Sequence, residues 1–217
     1  FIDEMNVSIT SDRQNVEIRY TLDGTNPSSK SPSISDAVSI TETSLVTAQN
    51  FRDGNPVSGT VKALFTRVTP SKAVEIDEAG KGLRYKYFEG SWDQLPEFDR
   101  LEELGSGVVS NIDISKRSQD NHFGFVFEGH ILIHEQGVYN FYTDSDDGSQ
   151  LFIRGDLVVD NDGLHSMTEA SGSVALSAGY HPIRVTYFEK NGGNQLNVYF
   201  ESVLIKKQII SDNFLFH

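Results

Sequence analysis

The chain has 217 residues, a formal net charge of −13 and no cysteine. Disulfides, thiol catalysis and cysteine-type zinc sites are therefore excluded. No basic run is longer than the two residues of Lys206-Lys207, too little to neutralise phosphates, so neither nucleic acid nor anionic membrane is expected as a partner.

No apolar run approaches the length of a membrane span, so no membrane insertion is expected. An acidic surface suits cations and neutral ligands such as sugars. Fourteen Phe, eight Tyr and many β-branched residues favour strands, and most of the 18 Gly sit between alternating segments, where turns belong. The chain opens Phe1-Ile2-Asp3-Glu4, without initiator methionine or signal peptide, and reads as an excised piece of a longer protein.

Residues 1–68 read as six or seven short strands, as in a small β-sandwich. In Val16–Leu22, Val16, Ile18, Tyr20 and Leu22 share one face. Asp23-Gly24-Thr25-Asn26-Pro27 is dense turn chemistry. Residues 69–81, with a proline, two charged clusters and a glycine, read as a linker. Residues 82–217 form a second all-β unit. A helical turn is expected near Asp99–Leu104. Phe123, Phe125 and Phe127 alternate on one face, Gly129 invites a bend or bulge, and Ile131 and Ile133 resume the apolar side. Ile183, Val185 and Tyr187 alternate likewise, followed by the turn Asn191-Gly192-Gly193-Asn194 and by Leu196, Val198 and Phe200.

Between them, Tyr139–Ile153 reads as a β-hairpin whose turn carries Asp144, Asp146, Asp147 and Gly148. Three aspartates within four positions repel one another, so solvent, backbone N–H groups or a cation must compensate. Asp before Gly is ordinary turn chemistry, so bracing of the turn and a binding role both stay open. An EF-hand fails here, because Gly148 falls at the fifth loop position and no bidentate Glu follows. Asp160-Asn161-Asp162-Gly163 fails likewise. His130 and His134 lie about 13 Å apart along one strand, too far to share an ion. Trp92 reads as a core or interface residue before a sugar-stacking platform.

Two resemblances extend these readings. Tyr20-Thr21-Leu22-Asp23-Gly24-Thr25-Asn26-Pro27, with Ser31, Ala48, Phe51 and Gly54, resembles the small immunoglobulin/fibronectin-like β-sandwich appended to chitobiases and β-hexosaminidases. Residues 82–217 resemble the protective-antigen-type, or PA14, domain. The blocks that carry it include Trp92-x-x-Leu95-Pro96-x-Phe98, Gly137-x-Tyr139-x-Phe141, Ser145-Asp146-Asp147-Gly148-Ser149-x-Leu151, Asp160-Asn161-Asp162-Gly163-x-His165 and Gly179-x-His181-Pro182-Ile183. The resemblance implies a larger β-sandwich or barrel used for carbohydrate binding or as a spacer.

In the sugar-binding members of that family, two consecutive aspartates joined by a cis peptide hold a calcium ion that coordinates sugar hydroxyls. Carried onto this chain, Asp146 and Asp147 are the implied metal ligands. Asp146, Asp147, Asn191 and Asn194 are the implied carbohydrate-binding residues, and Ca²⁺ is the implied cofactor. No catalytic residue is assigned. The expectation is a non-catalytic accessory fragment of a secreted, periplasmic or cell-surface bacterial glycoside hydrolase such as a β-hexosaminidase. Its partner is a glycan or the parent's catalytic domain. A pure scaffold and a calcium-dependent adhesin-like lectin remain as alternatives.

Overall fold

Alternating apolar and polar residues become strand after strand in the computed structural model, which describes residues 1–217. The chain divides after Thr69 into two units, each all-β.

The first unit holds β1 (Met5–Ser8), β2 (Glu17–Thr21), β3 (Ala37–Ile40), β4 (Ser44–Arg52), β5 (Asn55–Pro56) and β6 (Val61–Phe65). β1 and β3 pair antiparallel, while β4 is the central strand of a second sheet with β2, β5 and β6. Val7, Val38 and Ile40 are buried from the first pair, and Tyr20 and Phe65 pack onto them from the second sheet. Leu22 falls just past the end of β2 and is 39% exposed, so the expected four-residue face stops at Tyr20. The turn after it is braced as its composition suggests. Asp23 Oδ1 accepts from the backbone N–H and the hydroxyl of Thr25, at 3.0 and 2.6 Å.

The second unit begins at residue 70. Residues 70–81, expected as a linker, are tied into it by backbone hydrogen bonds. Ser71 N–H donates to Ala175 O, Val74 N–H to Tyr180 O, and Gly80 exchanges bonds with His217. Backbone pairing of this kind leaves no trace in side-chain composition, which is why the segment read as a connector.

The unit contains β7 (Leu83–Glu89), β8 (Gly105–Val109), β9 (Phe123–Ile133), β10 (Gly137–Asp146), β11 (Ser149–Ile153) and β12 (Asp156–Asn161). They are followed by β13 (Thr168–Leu176), β14 (Gly179–Glu189), β15 (Gln195–Ser202), β16 (Gln208–Ile209) and β17 (Leu215–Phe216). One sheet runs β12-β11-β14-β9-β7-β8, with β17 also on β9; the other runs β13-β10-β15-β16. Phe123, Phe125 and Phe127 of β9 and Val185 and Tyr187 of β14 face Tyr139 and Phe141 of β10 and Val198 and Phe200 of β15 in one core. A smaller cluster of Phe88, Phe98 and Val126, with Trp92 and Leu95, covers the other face of β7 and β9. The helical turn expected at Asp99–Leu104 is one 3-10 turn, Phe98–Arg100. It has no side-chain cap at Glu97 and ends in extended backbone at Leu101.

Two expectations change. The acidic segment is not a hairpin, because β10 pairs with β13 and β15 while β11 pairs with β12 and β14. Asp146–Gly148 therefore carries the chain from one sheet to the other. Nor does Gly129 make a bulge: β9 and β14 stay in register from Phe123–Glu189 to Ile133–Gly179. Gly129 is required for close approach instead, since a Cβ there would stand 2.3 Å from Phe216 O and 2.6 Å from Leu83 Cδ2. Gly129→Ala should cost about 1–3 kcal/mol of stability, measured by urea denaturation. An unchanged midpoint would show that β17 is free to move away.

Candidate functional site

The sheet crossing is held by small polar groups. Ser145 at the end of β10 and Ser149 at the start of β11 share a hydrogen bond of 2.7 Å. Asn161 Nδ2 of β12 donates to Ser145 Oγ (3.2 Å) and to Thr168 O of β13 (2.8 Å). All three of these polar side chains are buried, so each bond replaces water that the site excludes. Gly148 leaves room for Phe188, whose ring would lie 2.5 Å from a Cβ at that position.

The Asp146–Asp147 peptide is cis. Asp147 is 5% exposed. Its Oδ1 accepts from His165 N–H at 3.1 Å and its Oδ2 from Lys190 N–H at 3.0 Å. Asp146 is only partly buried. Burial, and then the Asp147 charge, hold its carboxyl above the usual carboxylate range. Tyr187 donates its hydroxyl to Asp146 O from the core below.

The turn after β14 lies alongside, and a Cβ at Gly193 would come within 2.8 Å of Asp146 Oδ2. Asn191 Oδ1 meets His122 Nε2 at 3.0 Å, and Asn194 Nδ2 donates to Asp120 O at 3.1 Å. Both expected sugar-binding amides are thus engaged with the segment before β9, which fixes the turn next to Asp146. Trp92 is elsewhere, edge-on to Phe98 at 6.0 Å in the outer cluster.

A third acidic group completes the site, one to which sequence reasoning gave no role. Glu189, the last residue of β14, is fully buried, and neither carboxylate oxygen has a hydrogen-bond partner. Ligand oxygens of Asp146, Asp147 and Glu189 all lie within 4.8 Å of one another. Burial, followed by the charges of Asp147 and Asp146, pushes the Glu189 carboxyl up to about 7, although the Asp147 N–H and the Tyr187 hydroxyl nearby act the other way. The signal was present in the sequence. Glu189 continues the inward phase of Ile183, Val185 and Tyr187, and a carboxylate on the apolar phase of a strand must answer to something. Three clustered carboxylates, with both Glu189 oxygens unsatisfied, match the hard-oxygen preference of a divalent cation such as calcium.

A PA14 domain family model matches residues 81–213, more than half of the chain. The chain belongs to the PA14 domain family. Residues 7–65 match a second family model, described as Fn3 associated. A β-hexosaminidase of Porphyromonas gingivalis is 24% identical over 196 residues, covering 86% of this chain and 25% of the relative. The chain thus spans about a quarter of the length of that curated relative. Among solved structures, the PA14 sugar-binding domain from an RTX adhesin superposes with a TM-score of 0.53 at 17% identity, covering 63% of this chain and 98% of its own. The epithelial adhesin 9 A domain from Candida glabrata, solved with Galβ1-3GlcNAc, superposes with a TM-score of 0.51 at 14% identity, covering 66% and 92%. These likenesses show that the PA14 unit shares a fold with both.

Glu189 makes a prediction about stability. Unfolded, its carboxyl ionises near 4.5; in the folded PA14 unit it holds its proton to about 7. The folded state binds more protons in that window, so its contribution to stability is full below 4.5 and is lost as pH rises through about 7. Glu189→Gln should remove this loss and stabilise the metal-free protein at pH 8 by on the order of 2 kcal/mol. Thermal melts in chelator from pH 4 to 8 would read it, and identical pH profiles for the two proteins would refute it.

Proposed function

We propose that this chain is a non-catalytic accessory fragment of a glycan-degrading enzyme, and that its PA14 unit binds neutral glycan through a calcium ion held at Asp146 and Asp147. Glu189 supplies the third carboxylate beneath them, and the Asn191–Asn194 turn forms the adjoining wall. When bound, the ion would offer its remaining coordination positions to sugar hydroxyls. The observation that carries this proposal is the buried, unpartnered Glu189 carboxylate within 4.8 Å of the aspartate pair. Such a group is costly to keep uncompensated. A cation relieves all three charges at once.

The likeness to a β-hexosaminidase supports a glycoside hydrolase as the parent protein, and the adhesin likenesses support sugar as the ligand and an extracellular setting. No helix of the chain is long and apolar enough to cross a membrane. Full burial of Glu189 argues against its acting as a general acid, which must reach its substrate.

A scaffold role is the second reading, and one observation favours it. Both oxygens of Asp147 already accept backbone N–H bonds, which brace the crossing without any ion. Asp146→Asn separates the two roles, because it leaves those bonds in place. Calcium at a hundredfold excess over its Kd should raise the stability of the native chain by about 2–3 kcal/mol, and the Asp146→Asn protein should show little of that gain. On a glycan array, binding by the native chain in calcium should vanish in chelator and in Asp146→Asn. If calcium changes neither melting nor array binding, and deleting residues 82–217 still cripples the parent enzyme, the PA14 unit is a scaffold.

A further inference from the structure

The outer face of the larger sheet carries a groove of about 600 Å³, within the size range of small-molecule sites. Its residues are separate from the three carboxylates. Gln150 and Phe152 of β11 form its floor with Thr186 and Arg184 of β14, paired in register as Gln150–Thr186 and Phe152–Arg184. The segment from Leu95 to Arg100 and the side of Asp162 make the walls.

The charges in this groove are already partnered. Arg100 Nε pairs with Glu97 at 2.7 Å. Arg184 lies between Asp99 and Glu128, at 3.5 and 3.6 Å. Asp162 Oδ1 accepts from Leu95 N–H at 2.7 Å and from Gly163 N–H at 2.8 Å. An anionic ligand would meet three lining acids, Glu97, Asp99 and Asp162, against two arginines that each already lie beside a carboxylate, and a cationic ligand would find each acid already ion-paired or hydrogen-bonded. Two buried groups of the groove lack a hydrogen-bond partner, Arg184 Nε, held only at ion-pair distance from Glu128, and a neutral hydroxyl. Thr186 is 5% exposed, and its Oγ1 has no hydrogen-bond partner. Gln150 spends its Nε2 on Asp160 at 2.9 Å, which leaves its carbonyl oxygen as an acceptor. Phe152, Leu95 and Pro96 supply apolar surface beside these groups.

An orphaned hydroxyl, an unpartnered guanidinium N–H, an amide oxygen and an aromatic ring, among charged groups that already have neighbours, match one ligand class. That class is a neutral ring with hydroxyls on its edge and C–H groups on its face. We infer that this groove is a second carbohydrate subsite of the PA14 unit, one that takes a neutral sugar without any metal ion. It stands apart from the calcium proposal, since none of its lining residues belongs to the Asp146–Asp147–Glu189 cluster.

The full 217-residue chain, ¹⁵N-labelled and held in excess chelator, is titrated with N,N′-diacetylchitobiose, lactose and 3′-sialyllactose. At least one neutral disaccharide should shift the backbone amides of residues 150–152 and 184–186, and should bind more tightly than the anionic sugar. Thr186→Val keeps the shape and removes the hydroxyl. It should weaken that response about threefold to tenfold while leaving the melting temperature undiminished, because the hydroxyl has no partner to lose. Phe152→Ala should abolish the response. Asp146→Asn should leave it unchanged. The inference is overturned if no neutral sugar moves those amides in chelator, if Thr186→Val binds as well as the native chain, or if sialyllactose binds best. Calcium-dependent binding would survive any of these outcomes, so the two sites fail separately.

Discussion

Three carboxylates in one desolvated corner set the terms for the upper end of the PA14 unit. Asp146, Asp147 and Glu189 have ligand oxygens within 4.8 Å of one another, where like charges repel. The surrounding structure answers this repulsion only in part. His165 and Lys190 turn backbone N–H groups onto Asp147. The Tyr187 hydroxyl goes to the backbone carbonyl of Asp146, and nothing in hydrogen-bond geometry reaches Glu189. A proton can relieve one charge of the three, whereas a divalent cation offsets two and draws the oxygens together.

The two-sheet architecture explains how so polar a corner is built on so aromatic a core. Along β10 the inward residues run Tyr139, Phe141, Thr143 and Ser145, all buried. They change from rings to hydroxyls as the strand approaches the crossing. On the opposite sheet Tyr187 gives way to Glu189 in the same direction. The core is graded, apolar where the sheets must adhere and hydrogen-bonding where the chain must pass between them. Ser145, Ser149 and Asn161 exploit that gradient, tying β10, β11, β12 and β13 at one point. The acidic oxygens sit directly after this knot in the chain, on backbone fixed from both sheets.

How legible all this was depends on the kind of constraint. Phe123, Phe125 and Phe127 announced their strand, because a half-buried sheet imposes a period of two on its own sequence. The PA14 blocks announced the family for the same reason: they hold side chains that pack in fixed order. Gly129 was misleading because its constraint is Phe216 O, contributed by a strand far along the chain. Asp146–Gly148 read as a hairpin turn because a tight turn and a link between sheets call for the same residues. What separates them is the partner strands on either side. Residues 70–81 are held by backbone bonds, to which side-chain identity is blind. Glu189 was legible and was missed. Its phase on β14 places it inward, where a charged side chain is itself the signal.

Bracing and binding at Asp147 are compatible on stereochemical grounds. An ionised carboxylate offers about four lone-pair positions. The N–H groups of His165 and Lys190 take one on each oxygen, so one remains on each. Those two bonds also set the direction in which the remaining lone pairs point, as a second shell orients a metal ligand. A turn that serves only as a brace has no use for the rest of the arrangement. It would not need Asp146 left without a comparable pair of donors, nor an acid buried beneath it where an apolar side chain would cost nothing. The bracing bonds therefore account for Asp147 alone. Asp146 and Glu189 receive no such pair of backbone donors, and a cation, as proposed above, would serve both.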